Sequence, residues 1–222
     1  MEAVFSFLGD LRINNNRDWF NANKSTYLEA KTQFDNMVGK LIEQLSEQED
    51  AFTFLLPKDC VYRIYRDARF SKNKDPYKLH FGAFIARGGR KSPFAGYYLH
   101  LEPGNCIIGG GIYQPMPAHL RSIRSKIVKE PDKYLGIIND KAFKGFFPEI
   151  YGDRLKLAPK GFAKDDPNID LIKNKSYFVV HEFEDIFDEE SYLNHITSAY
   201  ALQKPLNDFL NEAIFDVENE QL

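Results

Sequence analysis

The sequence contains only two cysteines, Cys60 and Cys106. That is too few for a disulfide framework, and neither lies in a Cys-x-x-Cys or Cys/His spacing that would hold structural zinc. Long apolar runs are missing too. A stretch such as Phe81 to Ala86 falls far short of the roughly 18 residues a membrane span needs. The opening residues MEAVFSFLGDL have neither a basic n-region nor a cleavage site, so a reducing cytoplasm is the expected location and no membrane partner is expected. The chain also lacks internal repeats, low-complexity linkers, His-Glu-x-x-His, the Gly-Lys-Ser/Thr ending of a P-loop and the G-x-G-x-x-G turn of a dinucleotide site.

What is present describes an ordinary globular protein. Of 222 residues, 43% are hydrophobic and the formal net charge is −3. This length can bury a sizeable core without staples, and a single α+β domain over residues 1–222 is expected. The mild acidity hides an asymmetry. Residues 58–91 hold ten Lys and Arg against three acids, a net +7, whereas residues 181–222 hold eleven acids against Lys204, a net −10. A basic segment inside an acidic protein points to a local anion site, because coating nucleic acid takes many phosphate contacts and a basic surface. The alternative is that the acidic segment balances the basic one.

Periodicity supplies the elements. The first fifty residues read as helical, with Asn14, Asn15 and Asn16 separating a short helix from a longer one. Ser25 is the expected N-cap of the longer helix, and Tyr27, Phe34, Met37, Val38, Leu41, Ile42 and Leu45 form its apolar stripe. Strands are expected at Val61–Tyr65, Leu79–Arg87, Gly96–Glu102, Asn105–Ile112 and Ser176–Phe183, with short turns suited to antiparallel hairpins. Helical spacing resumes at Pro117–Lys129, continues in shorter helices over Pro131–Phe147, and returns from about Glu189 to Phe215 around Pro205. Helices at both ends of a group of hairpins predict a central antiparallel sheet covered by the N-terminal and C-terminal helices.

The segment from Arg63 to Lys78 places cations every two to four residues as the chain leaves a predicted strand for a loop. Guanidinium groups present planar forks to carboxylate or phosphate, and lysines add point charge. Arg63, Arg66, Arg69, Lys74 and Lys78 are therefore candidates to converge on one anion, with Tyr65 and Tyr77 orienting it. Asp67, the acid among three arginines, either fixes a guanidinium or acts as a base; neighbouring cations hold it ionised and favour the first role. Ser71-Lys72-Asn73-Lys74 fits S-x-x-K, but Asn73, Asp75 and Pro76 predict a turn where serine activation needs a helix start.

Gly109-Gly110-Gly111 reads as a strand end where another segment or a ligand approaches the backbone. Tyr113 follows it as a further pocket residue, and Arg121 and Arg124 share a helix face nearby. Alternation puts Tyr98, His100 and Glu102 on one strand face. Two potential ligands do not make a metal site unless His80 or Asp67 joins them in space, so no metal and no cofactor are expected; His100 remains an acid or base candidate. His181 and His195 read as structural. Tyr65 and Tyr98 beside arginines raise single-stranded nucleic acid as a partner, but no RNP-like motif accompanies them.

Several stretches together resemble the domain-of-unknown-function 2461 family. They are Phe7-Leu8 with Asn14-Asn15 and Arg17-Asp18-Trp19-Phe20; Arg63 to Lys78; Ala95 to Pro103; Gly109-Gly110-Gly111-Ile112-Tyr113; and Pro159-Lys160-Gly161-Phe162. Leu79 and His80 depart from the family pattern, in which a polar residue and threonine are common. The resemblance spans nearly the whole chain and implies no activity, substrate or catalytic residue. Lys160 is a pocket candidate from a distant loop. The expectation is thus a small anionic ligand, phosphate or carboxylate, bound with or without metal-independent chemistry. The competing reading is a nucleic-acid or protein interaction module using the same cations. A third is a purely architectural ion-pair network.

Overall fold

The computed structural model describes residues 1–67, 69 and 71–219. Ala68 and Phe70, within the cationic segment singled out above, lie outside the described residues. Among the described residues the fold is α+β, with eight α-helices and a four-stranded antiparallel sheet. The strands are β1 (Phe81–Ile85), β2 (Gly96–Leu101), β3 (Cys106–Ile112) and β4 (Tyr177–Phe183), in spatial order β1-β2-β3-β4. Local chemistry explains the tight β2–β3 turn: Gly104 adopts φ +74, and Asn105 N–H donates to the Glu102 carbonyl at 2.8 Å. The chain forms two compact units, each drawn from three stretches.

The first unit comprises Met1–Arg90, Tyr98–Ile108 and Glu182–Ser198. Its helices are α1 (Glu2–Ile13), α2 (Arg17–Ala22), α3 (Lys24–Ser46) and the single turn α4 (Pro57–Cys60). The asparagine run does separate the helices. Asn16 caps α2 by accepting from Trp19 N–H at 2.9 Å. Ser25 does not serve as the N-cap of α3: α2 reaches Ala22, so Asn23 alone bridges the two helices and Ser25 falls in the first turn. The predicted stripe on α3 is buried and packs on α1 through Val4, Phe7, Leu8 and Leu11. Each such side chain contributes about 1.5–3 kcal/mol on burial. Phe7, Phe20, Tyr27, Phe34 and Phe81 continue this core as linked ring contacts, with Phe34 stacked on Phe81 of β1 at 5.3 Å.

The second unit comprises Lys91–Tyr97, Gly109–His181 and Ala199–Leu222. It contains α5 (Pro117–Lys129), α6 (Pro131–Ile138), α7 (Lys141–Phe146) and the larger part of α8 (Glu189–Asn219), which holds Pro205 in its interior. Tyr134 packs on Phe209 at 5.4 Å, and Tyr97 on Tyr200 at 4.6 Å. Polar side chains on α8 reach the backbone at the start of β2 and the residue before it. Gln203 donates to the Gly96 carbonyl at 3.0 Å, while Asn211 both accepts from Ala95 N–H at 2.8 Å and donates to its carbonyl at 3.2 Å. The glycine run lies inside β3, where backbone of β2 and β4 comes close. A Cβ on Gly110 would meet the Gly96 carbonyl oxygen and lie 2.6 Å from the Gln203 amide, and its φ of +142 is one that side chains rarely adopt. The run is close packing inside a sheet, so it offers no open phosphate loop.

Candidate functional site

The basic segment forms an irregular hairpin in the first unit. Tyr65 bridges Tyr77, flanked by Arg66 N–H to the Pro76 carbonyl at 2.9 Å and Lys78 N–H to the Ile64 carbonyl at 2.8 Å. The predicted strand Val61–Tyr65 is reduced to isolated bridges at its two ends. The reason is legible in the residues: buried Val61 and Ile64 stand three apart with exposed Tyr62 and Arg63 between them, so there is no alternation to sustain a ladder. Two interactions anchor the hairpin. Tyr77 stacks on Phe20 at 3.9 Å and 12°. Asn15 donates from Nδ2 to the Tyr77 carbonyl at 3.1 Å and accepts from Tyr77 N–H at 3.2 Å, acting as a substitute strand neighbour.

The cations of the hairpin have different duties. Arg69 makes a two-pronged ion pair with Asp67 at 2.9 and 2.7 Å, and the Arg69 hydrogen bonds hold the exposed Asp67 carboxyl below its ordinary range. Asp67 therefore fixes a guanidinium, and an ionised, paired carboxylate is a poor base. Arg66 donates to the Ser71 hydroxyl at 2.9 Å, whereas Lys74 Nζ lies 3.5 Å from the Arg69 carbonyl. Ser71 thus meets an arginine, and the turn predicted from Asn73 and Asp75 forms, with Asp75 N–H bonded to Asn73 Oδ1 at 2.8 Å. Tyr77 is buried as an anchor, and exposed Tyr65 accepts from Lys24 Nζ at 3.4 Å.

Arg63 and Lys78 are left without a carboxylate partner among the described residues. The Lys78 ammonium sits 5.3 Å over the Tyr62 ring, and burial, with Arg63 adding to it, pushes its pKa down. Tyr113 and Lys160 belong to the second unit, together with Arg121 and Arg124. Tyr113 is exposed and meets Phe178 edge-on at 5.6 Å, and Lys160 is exposed beside Gly161. Arg124 is buried there and donates to the Asn174 carbonyl at 2.8 Å.

A second cluster, also in the first unit, lies on β2 and just before β1. As alternation predicted, Tyr97, Leu99 and Leu101 are buried on one face and Tyr98, His100 and Glu102 share the other. The Tyr98 hydroxyl is 3.2 Å from His100 Nδ1, and His100 Nε2 is 3.2 Å from Glu102 Oε2. Arg12 donates to Glu102 Oε1 at 3.3 Å, and Asn105 to Oε2 at 3.2 Å. The His80 ring stacks on His100 at 4.0 Å and 25°. Burial, with lesser contributions from His100 and Lys78, pushes His80 down to about 4, and burial also lowers His100 against the pull of Glu102. Burial pushes Tyr98 up to about 12, whereas hydrogen bonds from His100 and Asn105 outweigh the burial of Glu102 and leave it lowered. One ligand atom from each of His80, His100 and Glu102 lies within 4.8 Å of the others. His80 thus joins the pair that was incomplete in sequence; Asp67, tied to Arg69, is not in the group. Strand pairing brings His80 there, and no local spacing signals it.

Residues 3–209 match the family described as conserved hypothetical protein (DUF2461). The chain belongs to the DUF2461 family. Within the family pattern, the Asn14-Asn15 pair and the Arg63 to Lys78 segment are the parts that Asn15 ties together. No curated protein and no solved structure matches the chain.

Proposed function

We propose that the half-exposed face formed by Tyr62, Arg63 and Lys78 binds a small anionic ligand, a phosphate or a carboxylate. The observation that carries this reading is the pair Arg63 and Lys78, close enough for one to depress the other's pKa and with no carboxylate ion pair of their own among the described residues, since Asp67, which feels Arg63, is bonded to Arg69. Bringing like charges together costs free energy that a bound anion would return. The Tyr62 ring beneath Lys78 supplies an apolar floor. Arg66 and Arg69 contribute positive field, while their side chains remain committed to Ser71 and Asp67. If the ligand is also transformed, His100 is the proton carrier this reading assigns, since it is held between a tyrosine hydroxyl and a carboxylate.

The test is thermal denaturation of the full chain with inorganic phosphate, pyrophosphate, citrate, nucleotides and short oligonucleotides, repeated on Arg63→Ala and Lys78→Ala. A small anion at about 100 times its Kd should add about 2.7 kcal/mol, which for a chain of this size raises Tm by roughly 5–10 °C. Both variants should lose the shift. A shift that survives in both variants, or none with any anion, would overturn the reading. Binding confined to oligonucleotides and weakening steeply with salt would replace it with a nucleic-acid module.

A further inference from the structure

The histidine cluster has a chemistry separate from Arg63 and Lys78. Two imidazoles and one carboxylate form a nitrogen-rich donor set, which suits zinc and other first-row divalent ions and does not suit magnesium or calcium. We infer that His80, His100 and Glu102 form a binding site for a divalent first-row transition ion, with zinc as the reference case. Three protein ligands would leave a fourth position for water or for an anion, the arrangement of a reactive site; structural zinc sites are closed by four protein ligands.

The surroundings of each ligand support this. With the Nδ1 proton of His100 donated to the Tyr98 hydroxyl at 3.2 Å, the Nε2 lone pair faces Glu102 Oε2, also at 3.2 Å. That is the tautomer a metal ion on Nε2 would use; in the free protein the neutral ring is equally satisfied with its proton on Nε2, donating to Glu102 while the Tyr98 hydroxyl donates to Nδ1. Glu102 is itself oriented by Arg12 and Asn105, and His100 by Tyr98, so two of the three ligands have the outer hydrogen bonds that metal ligands typically carry. His80 differs. Its ring makes no hydrogen bond among the described residues and is held by the stack on His100. A metal ion lies in the plane of each imidazole it binds, and rings stacked at 25° share no such point within bonding distance. Loading therefore turns the His80 ring out of the stack, a motion that breaks no hydrogen bond. The nearby Lys78 ammonium opposes the incoming charge, which places the site below closed structural sites in affinity.

The inference does not rest on the anion reading, because zinc can be titrated in chloride buffer with no other ligand. The experiment is calorimetric titration of the full chain with ZnCl2, paired with visible absorption on adding CoCl2, for the parent, His80→Ala and Glu102→Gln. The parent should bind one equivalent of zinc, develop cobalt d–d bands, and give no saturable heat with MgCl2. His80→Ala and Glu102→Gln should each weaken zinc binding by more than about 100-fold, exceeding what loss of an orienting partner costs. Absence of saturable zinc binding in the parent would overturn the inference. So would a single equivalent retained at parental affinity in His80→Ala, a variant that removes no hydrogen bond and decides the matter even if Glu102→Gln fails to fold.

Discussion

Replacing Asn15 with alanine should loosen the cationic hairpin from the helices that position it. The Asn15 side chain satisfies both backbone polar groups of Tyr77, at 3.1 and 3.2 Å, and Tyr77 is only 4% exposed. Each hydrogen bond is worth about 1 kcal/mol net, and a buried backbone group left unpaired costs about 1–3 kcal/mol. Asn15 is itself half-buried, so water can reach part of the vacated space and the lower end of that range applies. The expected loss is roughly 2–4 kcal/mol, read from urea unfolding as a lower midpoint at unchanged slope. Amide exchange at Tyr77 should accelerate more than exchange in the core of α3, because the hairpin opens locally before the unit unfolds. Asn14→Ala is the control. Its side chain donates once, to the exposed Asp10 carbonyl at 3.0 Å, and the change should stay within about 0.5 kcal/mol. A loss below about 0.5 kcal/mol for Asn15→Ala, or unaltered Tyr77 exchange, would refute the view that this side chain holds the hairpin in place.

Two further outcomes follow from burial and backbone geometry. Gly110→Ala should cost at least about 3 kcal/mol or prevent folding, since its Cβ meets β2 backbone at φ +142, whereas Gly136→Ala on α6, with nothing within 4 Å of the added atom, should stabilise by about 0.5–1 kcal/mol; thermal denaturation of both variants checks the contrast. Cys60 and Cys106 are fully buried and burial pushes both thiols up to about 12, so at pH 8 neither should react with a thiol reagent in the native protein and both should react after denaturation. Rapid native labelling of either would contradict their placement.

Local pattern carried much of the fold. Helix α5 runs over Pro117–Lys129 as its spacing predicted, because proline at the first position and apolar residues at helical period are signals within one segment. The strand alternation that put Tyr98, His100 and Glu102 on one face was equally local and is reproduced in β2. The same rule failed at Val61–Tyr65, where the buried pair is three residues apart and only bridges form. Ser25 lost its capping role because only Asn23 separates α2 from α3, a junction that the stripe on α3 alone does not reveal.

The candidate site was legible as a list of cations and illegible as an arrangement. The sequence identified Arg63 to Lys78 as unusual and His100 with Glu102 as an incomplete ligand pair. Only the tertiary structure decided that Arg69 is paired with Asp67, that Arg66 bonds to Ser71, that Arg63 and Lys78 have no carboxylate ion pair among the described residues, and that His80 stacks on His100. Helical and strand periods arise from bonding between near neighbours and can be read from residue type. Which charge finds a partner, and which histidine meets another twenty positions away, depends on strand register and side-chain packing, and those are fixed only when distant segments share one core.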